Sequence, residues 1–450
     1  MRPEDVPQAA RSVCRRLHDA GHEAYVVGGC VRDVLLGRTP VDWDVATSAH
    51  PDAIQRAFAR TIPTGIAHGT LTVVVGGEPI EVTTFRGEGA YSDARRPDYV
   101  VFGVTLAEDL SRRDFTINAI AYDPDADRLV DPFGGAADLA AGVIRAVGDP
   151  VARFREDGLR ILRAARLTAK LELALDPTTE AGIVPALDSL ARVSAERVRD
   201  EVMKLLSARR PSLGLAVLQR TGALAVVLPE LAEGVGLHQN RFHRFDVWDH
   251  TMATVDATPG DAVTRLGALL HDVAKPRTAA PRPDAPDENT FYRHDVVGAD
   301  MADAILRRLR LSNAERERVV GMVAHHMFWY TPDWTDAAVR RFVRKVGVAA
   351  LPDLFALRVG DVIGRGRGED PDVELGELRA RVDKVLAEEQ ALSIGDLAID
   401  GADVMAALAI PPGRRVGDVL RALLDRVIDD PTLNERDTLL ALVAEVARGE

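Results

Sequence analysis

Two aspartates, Asp42 and Asp44, stand one residue apart in the segment Val41-Asp42-Trp43-Asp44-Val45. On a strand, alternation turns both carboxylates to one side and sends Val41, Trp43 and Val45 into the core. Neighbouring carboxylates repel unless a cation lies between them, and oxygen-ligated Mg²⁺ suits such a pair. Upstream, the apolar run Tyr25–Val27 reads as a buried strand and leads into Gly28-Gly29, then into a helical stretch, Val31–Leu36, carrying Arg32 and Asp33. Paired glycines let a turn open its N–H groups to an anion. Neither the Gly-x-Gly-x-x-Gly dinucleotide fingerprint nor a Gly-Lys-Ser/Thr phosphate loop is present. Alone, the glycines are an ordinary turn and the aspartates a solvated strand edge. Together they put phosphate donors and a metal site in one pocket.

Other elements must position these groups. An amphipathic helix is expected from about Pro7 to Gly21, and a second over Pro51–Ala59 with Ser48 as its N-cap. His68–Val75 and Pro79–Phe85 read as strands joined by a Gly76-Gly77 hairpin turn. Glu81, on the second strand, is the candidate third carboxylate of a two-metal site; otherwise it is a solvent-facing strand residue. The polar, Gly-rich stretch Arg86–Tyr99 is expected to be a loop. In Arg112-Arg113-Asp114-Phe115-Thr116-Ile117-Asn118, a guanidinium beside a carboxylate can hydrogen-bond a ribose 2′-OH, or simply form a capping and ion-pair cluster.

After about residue 148 strand signals largely vanish, and Val151–Lys170 reads as one basic helix. Asp157 and Arg160, three apart, would share a face of it. Cytosine and adenine each present an amino donor beside a ring-nitrogen acceptor. A carboxylate accepts from the first and a guanidinium donates to the second, whereas guanine and uracil reverse both. Such a pair selects C and A without a template. The plainer alternative is an intrahelical ion pair worth about 0.3–0.5 kcal/mol.

Gly28-Gly29-x-Val31-Arg32-Asp33-x-Leu35-Leu36-Gly37-Arg38, followed by Asp42-x-Asp44, resembles the signature of the DNA polymerase β-like nucleotidyltransferases. Within these it is similar to the class II tRNA nucleotidyltransferases (CCA-adding enzymes) and the bacterial poly(A) polymerases. The resemblance implies that Asp42, Asp44 and Glu81 are catalytic. It gives Gly28, Gly29 and Arg32 to the triphosphate, and Arg113, Asp114 and Asn118 to the ribose. Glu156-Asp157-x-x-Arg160-x-x-Arg163 matches the family's nucleotide-selecting motif, and Arg86–Tyr99 resembles the loop the family needs for adding the terminal adenosine. Ser194–Glu201 resembles a bracing motif behind the selecting helix.

Seven of the eleven histidines fall between His238 and His326. Histidines and aspartates at separated helical positions can converge on a divalent metal. This segment resembles an HD domain, in which His250, His271, Asp272 and Asp361 match the ligand quartet and His294 and His325 are accessory positions. The metal's identity does not follow from the resemblance. Hydrolysis of phosphoesters is one implied use of the domain, and a purely structural role is the other. Ala279–Thr290 is expected to be a Pro-rich polar loop nearby, and the basic clusters Arg307, Arg308, Arg310 and Arg340, Arg341, Arg344, Lys345 are candidates for contacting RNA phosphates.

The totals fit this picture. A chain of 450 residues exceeds one core. Its net charge of −13 argues against indiscriminate nucleic-acid binding without excluding local basic faces. Two cysteines, Cys14 and Cys30, lack disulfide or metal spacing, and neither a signal peptide nor a membrane span is visible, so a cytoplasmic protein is expected. The fold class expected is α+β. Residues 1–148 form a polymerase β-like nucleotidyltransferase head and 149–236 a helical neck with the base-selecting helix and an RNA-binding region. Residues 237–370 form the HD domain and 371–450 a helical C-terminal body. The function implied is template-independent addition of CCA to the 3′ end of tRNA from CTP and ATP, with Mg²⁺ in the head and a divalent metal in the HD domain. No obligatory protein partner is evident. A poly(A) polymerase, or a metal phosphohydrolase with a vestigial head, are the alternatives.

Overall fold

The computed structural model describes residues 1–88, 100–388 and 391–448. The chain divides into two compact units, Met1–Ala232 and Glu233–Glu450. Among the described residues no helix is long and apolar enough to cross a membrane.

The first unit opens with helix α1 (Gln8–Asp19), strand β1 (Ala24–Val27), helix α2 (Gly29–Leu35), strand β2 (Asp44–Thr47) and helix α3 (Pro51–Ala57). Strands β3 (Thr61–Gly65), β4 (Thr70–Val75) and β5 (Glu78–Thr84) follow, with Gly76 and Gly77 both at positive φ in the tight hairpin between β4 and β5. Next come β6 (Arg86–Glu88), β7 (Val100–Phe102), helix α4 (Leu106–Ser111), β8 (Ala121–Asp123) and β9 (Arg128–Val130). Seven strands form one sheet in the order β3-β4-β5-β2-β1-β8-β9. Strand β1 runs antiparallel to both β2 and β8, while β2 runs parallel to β5. One face of the sheet carries Tyr25, Val27, Ala46 and Ala121 into a core with Phe85, Leu106, Leu110 and Val147. Against the sheet packs α1, whose Val13, Cys14 and Leu17 are fully buried.

Several expectations are corrected here. Val41 is not in the core; it is 91% exposed. Strand β2 begins only at Asp44, where pairing with β5 starts, and its pairing with β1 starts at Val45, so residues 41–43 have no ladder to join. Ser48 does not cap α3. His50 holds that position ahead of Pro51, and the Ser48 hydroxyl instead accepts the Glu23 N–H at 2.9 Å. The stretch expected as a loop begins as a strand, Arg86–Glu88 pairing with Val100–Phe102. Residues 89–99 lie outside the described residues.

Helix α5 (Gly135–Ala140) precedes the expected basic helix, which is two helices, α6 (Pro150–Glu156) and α7 (Leu159–Leu171). Asp157 is extended between them, and its carboxylate accepts the Leu159 N–H at 3.0 Å. The break accommodates a close backbone contact. A Cβ on Gly158 would come within 2.4 Å of the Ser189 carbonyl.

In the second unit, helices Val247–Ala257, Ala262–Leu270, His294–Arg308, Asn313–His325 and Leu351–Gly364 pack on one another. Two of them meet backbone to backbone. A Cβ on Gly360 would lie 2.7 Å from the Thr254 carbonyl, and one on Gly364 would lie 2.1 Å from the Thr254 hydroxyl. That closeness brings the helix of His250 against the helix of Asp361. The expected loop 279–290 is a hairpin, Ala280–Arg282 with Ala285–Thr290, held by Arg282 ion-paired to Asp284 and Glu288. The tail is helical as expected: Pro371–Ala387, Gly401–Leu408, Arg414–Asp429 and Arg436–Arg448. The basic cluster at 340–344 is used within this unit. Buried Arg340 donates to the Ile428 and Asp429 carbonyls, Arg341 pairs with Asp429, and Arg344 with Asp425. Cations at the C-terminal end of the helix Arg414–Asp429 are favoured by its dipole.

Candidate active site and metal centre

The topology gathers the head residues at one end of the sheet. Because β1 and β2 are antiparallel, the C-terminal end of β1, where Gly28 turns, adjoins the N-terminal end of β2, where Asp44 begins. Strand β8 is also antiparallel to β1, so residues 112–120 arrive at the same end, and the Gly28 N–H donates to the Ile120 carbonyl at 3.0 Å. In the parallel β2–β5 register Asp44 lies opposite Glu81, and parallel partners point to the same face. Gly28 adopts φ 80°, and a Cβ there would meet Arg113 Nη1 at 2.6 Å. The turn thus lets this guanidinium approach the backbone.

Asp44 is pushed up to about 6, by burial first and then by the Glu81 carboxylate, with Asp42 adding to the rise and Arg113 opposing it. Asp42 itself is exposed and precedes the strand. The charges of Glu81 and Asp42 thus both act on Asp44. The oxygens of the three do not all fall within 4.8 Å of one another, unlike the histidine-rich groups described below.

Behind this end lies a buried polar network. Arg32 donates to Asp33 at 2.7 and 2.8 Å and to Asn118 Oδ1 at 2.6 Å. Asn118 donates to Asp114 Oδ1 at 3.0 Å, and Arg163 of α7 binds Asp114 Oδ2 at 2.6 and 2.7 Å. Burial would raise Asp114, but Arg163 and the Asn118 amide outweigh it and hold the carboxyl far below its usual range. Arg32 is thus engaged by Asp33 and Asn118 together. Arg113 also lies against Asp109 at 3.7 Å and donates to the Asn118 carbonyl.

Asp157 and Arg160 are not paired with each other. Asp157 Oδ2 accepts from Arg197 at 2.6 Å. Arg160 binds Glu156 at 2.5 Å and donates to the Arg153 and Arg112 carbonyls at 3.1 and 3.0 Å. The helix break places them on different segments, so the intrahelical ion pair does not form. The stretch Ser194–Glu201 braces α7 through Glu201, which binds Arg166 at 2.6 Å, while its Arg197 holds Asp157 just ahead of that helix.

In the second unit the expected quartet converges. His250 Nε2 lies 3.2 Å from His271 Nε2, 3.4 Å from Asp272 Oδ2 and 3.4 Å from Asp361 Oδ1. His294 Nε2 lies 3.3 Å from Asp272 Oδ1 and 3.1 Å from His326 Nε2. The accessory histidine facing the cluster is therefore His326, with His325 turned aside. Helical spacing explains this: Val319, Met322 and Val323 are buried, and His326 lies seven, four and three residues beyond them. Lys275, not assigned a role from sequence, binds Asp272 Oδ2 at 2.5 Å and the Gln239 side chain at 2.6 Å. Arg358 and Arg365 flank Asp361. Burial would raise Asp272 and Asp361; the cations and imidazoles around them hold both well below the carboxylate range. For His250, burial is outweighed by hydrogen bonds to Asp272 and Asp361, and the ring is raised to about 9. Nitrogen and oxygen donors so arranged suit a borderline divalent ion.

A sheet-edge glycine turn, opposed carboxylates and a helical, histidine-rich unit are the parts of a nucleotidyltransferase coupled to an HD domain. Residues 24–145 match the family described as poly A polymerase head domain, 172–234 the probable RNA and SrmB-binding site of polymerase A, and 243–407 the HD domain. A CCA-adding enzyme of Levilactobacillus brevis is 43% identical over 98% of this chain and 98% of its own length. An A-adding tRNA nucleotidyltransferase of Deinococcus radiodurans is 38% identical over 89% of this chain and 91% of its own. The crystal structure of Bacillus stearothermophilus CCA-adding enzyme in complex with CTP superposes with a TM-score of 0.77 at 30% identity, covering 98% of both chains. The chain belongs to the tRNA nucleotidyltransferase family that includes the CCA-adding enzymes.

Proposed function

We propose that this chain adds CCA to the 3′ end of tRNA from CTP and ATP, releasing pyrophosphate, in the cytoplasm. The carrying observation is the facing of Asp44 and Glu81 across β2 and β5 at the sheet end where Gly28 turns. Asp42, Asp44 and Glu81 would hold Mg²⁺. When bound, the ions supply Lewis-acid activation of the attacking 3′-OH and neutralise the leaving pyrophosphate. Asp44, raised toward neutrality, is a carboxylate whose charged form a cation would restore. Gly28 supplies the turn, its own N–H held by the Ile120 carbonyl, and Gly29 at the start of α2 presents its backbone N–H to the triphosphate, with Arg113 where ribose or phosphate would lie. Asn118, Asp114 and Arg163 fix that edge of the pocket. Asp157 and Arg160 read the base edge, with Arg197 and Glu156 orienting them.

The head is taken as residues 1–148, the neck as 149–236, the HD region as 237–370 and the body as 371–450. The cluster around Asp272 is a divalent-metal site, and a phosphoester is the substrate class such a site activates water against.

The relative named as A-adding favours a second reading, addition of the terminal A alone. Sequencing the 3′ ends of a tRNA lacking CCA, after incubation with all four ribonucleotides, separates the cases. CCA ends are expected. Extension only when CC is already present supports the A-adding activity, and A runs support a poly(A) polymerase.

A further inference from the structure

Helix α4 aims one carboxylate inward. Leu106 and Leu110 belong to the core on one face of the sheet. Asp109, three residues after the first and one before the second, shares their side of the helix and is 1% exposed. This carboxylate is bound lopsidedly. Its Oδ1 accepts the Arg86 N–H at 3.2 Å and the Arg112 Nε and Nη2 at 3.0 and 2.9 Å. Its Oδ2, also buried, accepts no hydrogen bond among the described residues and lies 3.7 Å from Arg113 Nη2. Donors from strand β6 and from the segment after α4 fix Oδ1, so Oδ2 is held toward Arg113. A buried oxygen without a partner is costly, and the guanidinium charge beside it offsets that cost.

Arg113 is bound as sparingly. Among the described residues only its Nη1 makes a hydrogen bond, a long one to the Asn118 carbonyl at 3.3 Å, and its Nε is buried without a partner. A guanidinium has five N–H donors, so most of these await an acceptor, and anionic oxygens are the strongest. Three carboxylates act on it: Asp109 most, ahead of Asp44 and Asp114. Asp114 is already held by Arg163 and Asn118. With Asp109 gone, the remaining pull would draw the guanidinium to Asp44, and one ion pair would occupy the carboxylate and the donors together.

We propose that Asp109 is a positioning residue for the incoming nucleotide: it holds Arg113 off Asp44 while taking none of its hydrogen bonds, so that the guanidinium keeps its donors for oxygens of the triphosphate or ribose. The inference rests on the nucleotidyltransferase reading of the head and adds to it a residue that acts through Arg113.

The test is steady-state nucleotide addition by the full chain carrying Asp109→Asn, which keeps an acceptor at Oδ1 and removes the charge facing Arg113. KM for CTP on a tRNA lacking CCA, and for ATP on a tRNA ending in CC, should rise about tenfold with kcat within about twofold of wild type, as when binding common to the ground and transition states is lost. On an Arg113→Gln background the same substitution should change either KM by less than about twofold, because the two residues act as one unit. Circular dichroism and thermal melts establish that each variant is folded, and Asp109→Ser, smaller and equally uncharged, repeats the measurement if Asp109→Asn melts below the assay temperature. A folded variant with both KM values unchanged, a fall in kcat alone, or a KM rise as large without Arg113 as with it overturns the inference. A wild-type chain that adds neither CTP nor ATP overturns the activity beneath it instead.

Discussion

Asp44 stands directly opposite Glu81 in the parallel pairing of β2 with β5, with their side chains on one face of the sheet and Arg113 beside them. Glu81 is exposed on its strand, as the plainer reading expects, yet its charge adds to the rise that burial gives Asp44. Glu81→Gln should therefore lower kcat for nucleotide addition by a factor on the order of 10²–10³ while leaving the fold intact, as expected for removing a charge that acts at the reacting centre. Single-turnover primer extension checks this. Wild-type rates in Glu81→Gln would return Glu81 to the role of an ordinary surface residue.

The same pair makes stability depend on pH. Folded Asp44 titrates at about 6, against roughly 3.9 in an unfolded chain. The folded chain holds the extra proton between those values, so stability falls as pH rises from about 4 through about 6 and is level above. Asp44→Asn removes this penalty and should stabilise the metal-free protein by about 1–3 kcal/mol near pH 7.5, but not near pH 4. Thermal melts at both pH values measure it. A gain independent of pH would contradict the assignment.

Arg163 anchors α7 to the segment 112–118 by binding buried Asp114. Arg163→Met strands that carboxylate and should cost about 2–4 kcal/mol in chemical denaturation. Replacing both partners, with Asp114→Asn added, should recover part of the loss. A double variant as unstable as the sum of the singles would show that the two residues do not interact.

Gly28→Ala should raise the KM for nucleotide more than it lowers stability. The new methyl group would occupy the position of Arg113 Nη1, 2.6 Å away, and the backbone is at φ 80°. Gly37→Ala is the control. It too has a positive φ, but its Cβ would meet nothing within 4 Å. Equal KM effects in the two variants would show that backbone strain alone, not the approach of Arg113, accounts for the result.

Much of this site was legible in the sequence, because glycine pairs, alternating strands and His-Asp adjacency are local signals. The β4–β5 hairpin and the turn at Gly28 could be read from a few neighbouring residues. What escaped depended on partners distant in sequence. Val41 is exposed because no neighbouring strand extends that far. The break at Gly158 answers to Ser189, and Arg340 is consumed by the end of a helix nearly ninety residues on. His326 was within reach, since counting back to Val319, Met322 and Val323 separates it from His325.

The central claim is that a protein surface chooses the base, and the groups doing so are Asp157 and Arg160, held apart by Arg197 and Glu156. The most direct measurement is deep sequencing of tRNA 3′ ends made by Asp157→Asn and by Arg160→Gln from equimolar ribonucleotides. The account predicts that G and U at the added positions rise by about tenfold or more, since each lost bidentate partner removes about 1–3 kcal/mol of discrimination. Slower addition with the C and A preference intact in both variants would contradict it.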